Sequence, residues 1–121
     1  NYTGETYLCE YSARKKWLQL LGLHYSDKKC KVMKMLYNSV HHLDLDALRE
    51  ELNLGIKEHG SKYVVGYGTI AIGVGGNEPM LSPQQLETDL WIAQEAGVKE
   101  VVLFRLGGLN NKYIKVLEKF S

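Results

Sequence analysis

Hydrophobic and polar positions alternate along the chain in two rhythms, and the helical rhythm is clearest after Leu81. Ser82 is placed to cap a helix, Pro83 takes the first helical position where its missing N–H is harmless, and Gln85 completes a capping box. Leu81 and Leu86 stand at the two positions of a hydrophobic staple. Leu86, Leu90 and Ala93 then fall on one helical face, and Gly97 is placed to end it. Val101-Val102-Leu103-Phe104 follows at once, a short continuous apolar run of the kind that a strand buried on both faces shows in a parallel sheet. Gly107-Gly108 breaks it, and Asn110 can cap a last helix carrying Tyr113, Ile114, Leu117 and Phe120.

The same succession precedes these elements. Tyr63 to Ile72 predicts a strand containing Gly66 and Gly68, whose glycines suit close packing or a bulge better than ligand binding. Before it, Asp44 caps a helix with Leu45, Leu48, Leu52 and Ile56 on one face, closed by Gly60. Val32 to Tyr37 predicts another strand. Thr6 to Tyr11 predicts a weaker one, followed by a helix from about Ser12 to Leu21 that Gly22 stops. Four β–α units in a row with no hairpin signal predict an α/β fold with a parallel sheet and right-handed crossovers. Two architectures answer to that pattern, a (β/α)4 half-barrel and a small open doubly wound sheet.

Composition narrows the class. The chain has 121 residues, 45% hydrophobic and 24% charged, which fits one globular α/β domain spanning 1–121 and argues against disorder. The apolar runs are far shorter than the roughly 20 residues that span a bilayer, and there is no secretory segment, so a soluble chain without a membrane partner is expected. Cys9 and Cys30 form no C-x-x-C and no disulfide framework; buried free thiols in a reducing, cytoplasmic setting are the expectation. The Asn1-Tyr2-Thr3 sequon has nothing else pointing to secretion beside it and reads as coincidence. The chain begins at Asn1 rather than Met, consistent with processing or with a fragment.

Charge is uneven. Residues 1–34 hold seven cations against three acids, a net of +4, while the whole chain carries +1. A basic stretch with Tyr2, Tyr7 and Tyr11 beside it admits a weak RNA-binding module through residues 12–34, although no RNP-type motif is present and a solvated helix face with a lysine-rich loop accounts for the same residues.

Gly73-Val74-Gly75-Gly76 follows one strand, and Arg105-Leu106-Gly107-Gly108-Leu109-Asn110 follows the next and opens a helix. This succession, over residues 63–121, resembles the last two strands of (β/α)8 (TIM-type) barrels. The resemblance is to the superfold and names no family. It implies that the four strands are the carboxyl-terminal half of such a barrel, completed by a complementary half-barrel chain or by homo-oligomer formation, with a phosphate or carboxylate bound by the last two loops.

In such folds ligands meet the carboxyl ends of the strands. There the chain places Glu10, Tyr37, Asn38, Ser39, His41, His42, the 73–78 loop with Glu78, and Arg105. Arg105 interrupts an apolar run, where a charge is costly unless it pairs or meets a ligand, and its planar fork suits a carboxylate or phosphate. An ion pair with Glu10 or Glu78 is the structural alternative. Asn38, Gly75, Gly76, Gly107 and Gly108 are the remaining ligand-binding candidates, the glycines by presenting backbone N–H groups, although tight βα turns require glycine as well.

With Arg105 anchoring an anionic small molecule and Glu10 as acid or base, the leading expectation is part of a barrel enzyme acting as a hydrolase, lyase or isomerase. A glycoside hydrolase using Glu10 is an alternative that lacks its second carboxylate, and a non-catalytic partner subunit is another. His41-His42 has no accompanying ligand cluster, so no metal is expected. Ser39 lacks a nucleophile-elbow setting, and there is neither a Walker loop nor a dinucleotide fingerprint, so no cofactor is expected.

Overall fold

A computed structural model describes residues 4–10, 20, 29–37, 44–72 and 76–121. In chain order the elements are β1 (Tyr7–Glu10), β2 (Lys31–Met35), α1 (Leu45–His59), β3 (Tyr63–Gly68), α2 (Pro83–Glu95), β4 (Val101–Phe104) and α3 (Asn111–Leu117). The four strands form one parallel sheet in the order β1-β2-β3-β4. The α/β class and parallel pairing expected from the alternation are therefore present. A doubly wound sheet reverses its strand order at a switch point, and the order of these four strands has no reversal. The helix expected over 12–21 lies outside the described residues, apart from Leu20.

The three described helices lie on one face of the sheet, because residues of all three share a single buried core with β3. Side-chain parity agrees. Tyr63, Val65 and Tyr67 of β3 join Leu48 and Leu52 of α1 and Leu86, Leu90, Ile92 and Ala93 of α2 in one buried core. Lys34, on the same face of β2 as Val32, forms an ion pair with Glu51 of α1. The Tyr63 ring lies against α1 at Gly55, where an added Cβ would sit 2.0 Å from ring atom Cζ. Two buried hydroxyls tie the helix layer down: Tyr67 Oη donates to the Asp89 carbonyl at 3.2 Å and Tyr113 Oη to the Leu81 carbonyl at 2.6 Å.

Among the described residues the opposite face carries no helix. Met35 and Tyr37 lean from β2 across Gly66 and Gly68 of β3, where an added Cβ would meet Met35 Sδ and Tyr37 Cε1, each at 2.9 Å. The Tyr37 and Phe104 rings meet edge to face, 5.7 Å between centroids. The glycines in β3 are thus filled over by neighbouring side chains, the close-packing role expected of them.

In a flat sheet three strand spacings would hold β1 and β4 roughly 14 Å apart. Yet Tyr7 Oη of β1 donates to Glu100 Oε1, just before β4, at 2.6 Å, and Lys31 Nζ of β2 donates to Glu100 Oε2 at 2.6 Å. Side chains from the two sides of the sheet thus meet across the face that also carries Met35 and Tyr37.

The helix boundaries follow their caps. Asp44 accepts from the Ala47 N–H at 2.7 Å, Ser82 and Gln85 form the reciprocal capping box, and Gly97 takes the left-handed conformation (φ 85°) that ends α2. Three details differ from expectation. The strand over 63–72 leaves the ladder after Gly68, because Thr69 turns to the approach of α2: its carbonyl accepts from Leu81 N–H at 2.7 Å and its hydroxyl donates to Pro79 O at 2.9 Å. On α3, Tyr113 and Val116 are buried while Ile114 is exposed, so the buried stripe is rotated from the expected one. Cys9 is exposed, because β1 is an outer strand; Cys30 is buried, and neither is in a disulfide. Among the described residues no helix is long and apolar enough to cross a membrane.

Candidate functional site

The carboxyl ends of β3 and β4 are bound together by backbone and by one side chain. Ile70 N–H donates to Phe104 O at 2.8 Å, which carries the β3 segment past its last ladder residue alongside β4. Arg105, extended (φ −129°, ψ 161°), then stands at the end of β4, and its Nη2 donates to the Ile72 carbonyl at 2.7 Å. The guanidinium is exposed, and among the described residues no carboxylate reaches it. No ion pair with Glu78 forms: Arg105 donates to a carbonyl instead, which orients the fork. Of its five N–H donors one is spent on Ile72.

The glycines after β4 divide by role. Residues 106–108 make a single 3-10 turn, with Gly108 N–H donating to Arg105 O at 3.0 Å. An added Cβ on Gly108 would lie 1.9 Å from the Ile70 carbonyl oxygen, so this glycine permits the β4 turn to sit on the β3 segment, and its N–H already has an acceptor. Gly107 has open space where a side chain would project. Asn110 Oδ1 accepts from Lys112 N–H at 2.9 Å, capping α3. Gly76 is left-handed (φ 76°), which explains glycine there. Asn38, Ser39, His41, His42 and Gly75 lie outside the described residues.

Glu10 is the last residue of β1, in register with Lys34, whose row continues through Val65 to Val101. The Lys34 and Val65 side chains of that row meet the helix layer. The Glu10 side chain itself is outside what is described. Tyr37 is placed just past the carboxyl end of β2, on the face opposite the described helices, against Phe104.

A second polar cluster escaped the sequence reading. At the amino ends of the strands Lys31 bridges Glu5 at 2.8 Å and Glu100 at 2.6 Å, while Tyr7 Oη reaches both acids. Hydrogen bonds to Lys31 first, and to Tyr7 next, hold Glu5 and Glu100 below the usual carboxylate range. The bond to Glu100, then that to Glu5, pushes the Tyr7 phenol up to about 12 and raises the Lys31 ammonium likewise. With Lys34 on Glu51, two cations of the basic 12–34 segment are neutralised by acids rather than offered to RNA.

The signs of these shifts set a pH dependence. The raised Tyr7 and Lys31 contribute stability that is whole below their ordinary values near 10 and is lost as pH climbs toward 12. The lowered Glu5 and Glu100 contribute stability that is present above about 4.5 and lost as pH falls through their depressed values. Glu100→Gln is therefore expected to destabilise the chain across neutral pH and to differ less from the parent at both extremes. Urea midpoints of both proteins from pH 3 to 11.5 check this, and a difference that stays constant with pH would contradict it.

An apolar cavity of about 260 Å³ lies elsewhere, between α2, the start of β4 and α3, lined by Leu90, Ala93, Val98, Val101, Leu117 and Phe120. It opens at the amino end of β4, away from Arg105. Among the described residues no three His, Cys, Asp or Glu side chains gather as a metal site. Compared with protein-family models, with curated proteins and with solved structures, the chain matches none.

Proposed function

We propose that this chain binds a small anionic molecule, phosphate- or carboxylate-bearing, at the carboxyl ends of β3 and β4, and that its sheet is one half of a (β/α)-barrel. The unreversed strand order, the three described helices on one face and the hydrogen bond from β1 to the residue before β4 support the half-barrel. The observation that carries the binding site is Arg105: an exposed guanidinium at a strand end, oriented by the Ile72 carbonyl and opposed by no described carboxylate. A bidentate charge-assisted pair with an oxyanion would use donors that the bond to Ile72 does not spend. The reading is one of binding, with Arg105 as the anchor.

Titration of the chain with inorganic phosphate, followed by amide chemical shifts, tests this. Arg105→Ala is expected to weaken binding at least tenfold, corresponding to about 1.4 kcal/mol, with the urea midpoint nearly unchanged because the side chain is exposed. Phosphate binding equal to that of the parent chain would overturn the site.

A further inference from the structure

The surroundings of Arg105 say what else its ligand carries. Leu106, the next residue, is 80% exposed; Ile72, whose carbonyl holds the guanidinium, is 57% exposed. Met80, 53% exposed, belongs to the same end of the sheet, because its neighbours on both sides are fastened to Thr69 just past β3. Scattered exposed apolar side chains are ordinary on a protein surface, but large ones gathered at one end beside an exposed cation mark a binding surface. Gly107 has nothing within 4 Å of where its Cβ would stand, so the approach between Leu106 and α3 is open. A bare anion would use the charge and leave these side chains in water.

Building on the anion site above, we infer that the ligand is an amphipathic small molecule, a monoanionic or dianionic head on an apolar alkyl or aryl body, whose head pairs with Arg105 while its body covers Leu106 and Ile72. Charge complementarity fixes the head, and the exposed apolar side chains beside it select the body. The burial of apolar surface then adds to an ionic contact that water and salt would otherwise weaken.

Phenyl phosphate and inorganic phosphate share a head and differ in the body, and so separate the two claims. The parent chain is expected to bind phenyl phosphate at least tenfold more tightly than inorganic phosphate. Leu106→Ser, at an exposed position, is expected to erase most of that preference while phosphate itself binds as before. Arg105→Ala is expected to weaken both. Equal affinities for the two compounds in the parent, or a preference that survives Leu106→Ser, would overturn the amphipathic ligand and leave the anion site standing. Failure of both compounds to bind would overturn the two together. Concentration-dependent self-association seen by light scattering and removed by Leu106→Ser would identify a second copy of the chain as the occupant, and would also overturn it.

Discussion

Leu52→Ala is expected to cost about 3 kcal/mol of folding stability, within the roughly 2–5 kcal/mol of fully buried leucine truncations. Leu52 is 0% exposed on α1, in the core that joins Leu48, Tyr63 and Tyr67 to the helix layer. Truncation removes packing against a sheet held in place by its own ladder, so collapse into the space is limited. For a chain of this size the melting temperature should fall by roughly 10 °C or more. Leu54, two residues on and 52% exposed, supplies the contrast: Leu54→Ala is expected to change stability by about 0.5 kcal/mol or less. Calorimetry on both variants checks the pair, and similar losses would mean that α1 does not present Leu48 and Leu52 to the sheet as described.

That contrast was readable from spacing alone, since Leu48 and Leu52 repeat at i, i+4 and Leu54 does not. The capping box before α2 was readable for a similar reason: its partners lie three residues apart, so local chemistry states both halves of the interaction. Legibility stops where the partner is far along the chain. Tyr7 and Glu100 are 93 residues apart, and nothing local to either predicts that the two meet. Arg105 was recognisable as a charge at a strand end, but its partner is a backbone carbonyl 33 residues away, and every residue carries one. Ile114 and Val116 differ by less than one helical turn, and which of them is buried depends on how α3 sits against α2 rather than on their own hydrophobicity. The glycines after β4 looked alike as a Gly-Gly pair; only the course of the β3 segment separates the one pressed on a carbonyl from the one facing open space.

The last distinction has a large consequence for the site. Gly108→Ala is expected to destabilise the chain by about 3 kcal/mol, the upper part of the usual range for overpacking, and to weaken anion binding as well. The added methyl would lie 1.9 Å from Ile70 O, 2.5 Å from Ile70 C and 2.8 Å from Ala71 Cβ, so backbone rather than a side-chain tip must give way. Ile70 is held by its own N–H bond to Phe104 O, which leaves the 106–108 turn as the part that lifts. Lifting it strains the Gly108 N–H bond to Arg105 O and draws Arg105 from the Ile72 carbonyl that orients it. Gly107→Ala, whose methyl enters open space at the neighbouring position, is expected to change stability by about 0.5 kcal/mol or less. Urea denaturation and phosphate titration of the two variants measure both effects. If Gly108→Ala behaves like Gly107→Ala, the β3 and β4 ends are not in the contact described, and Arg105 has lost the carbonyl that makes it a positioned anchor rather than a loose surface charge.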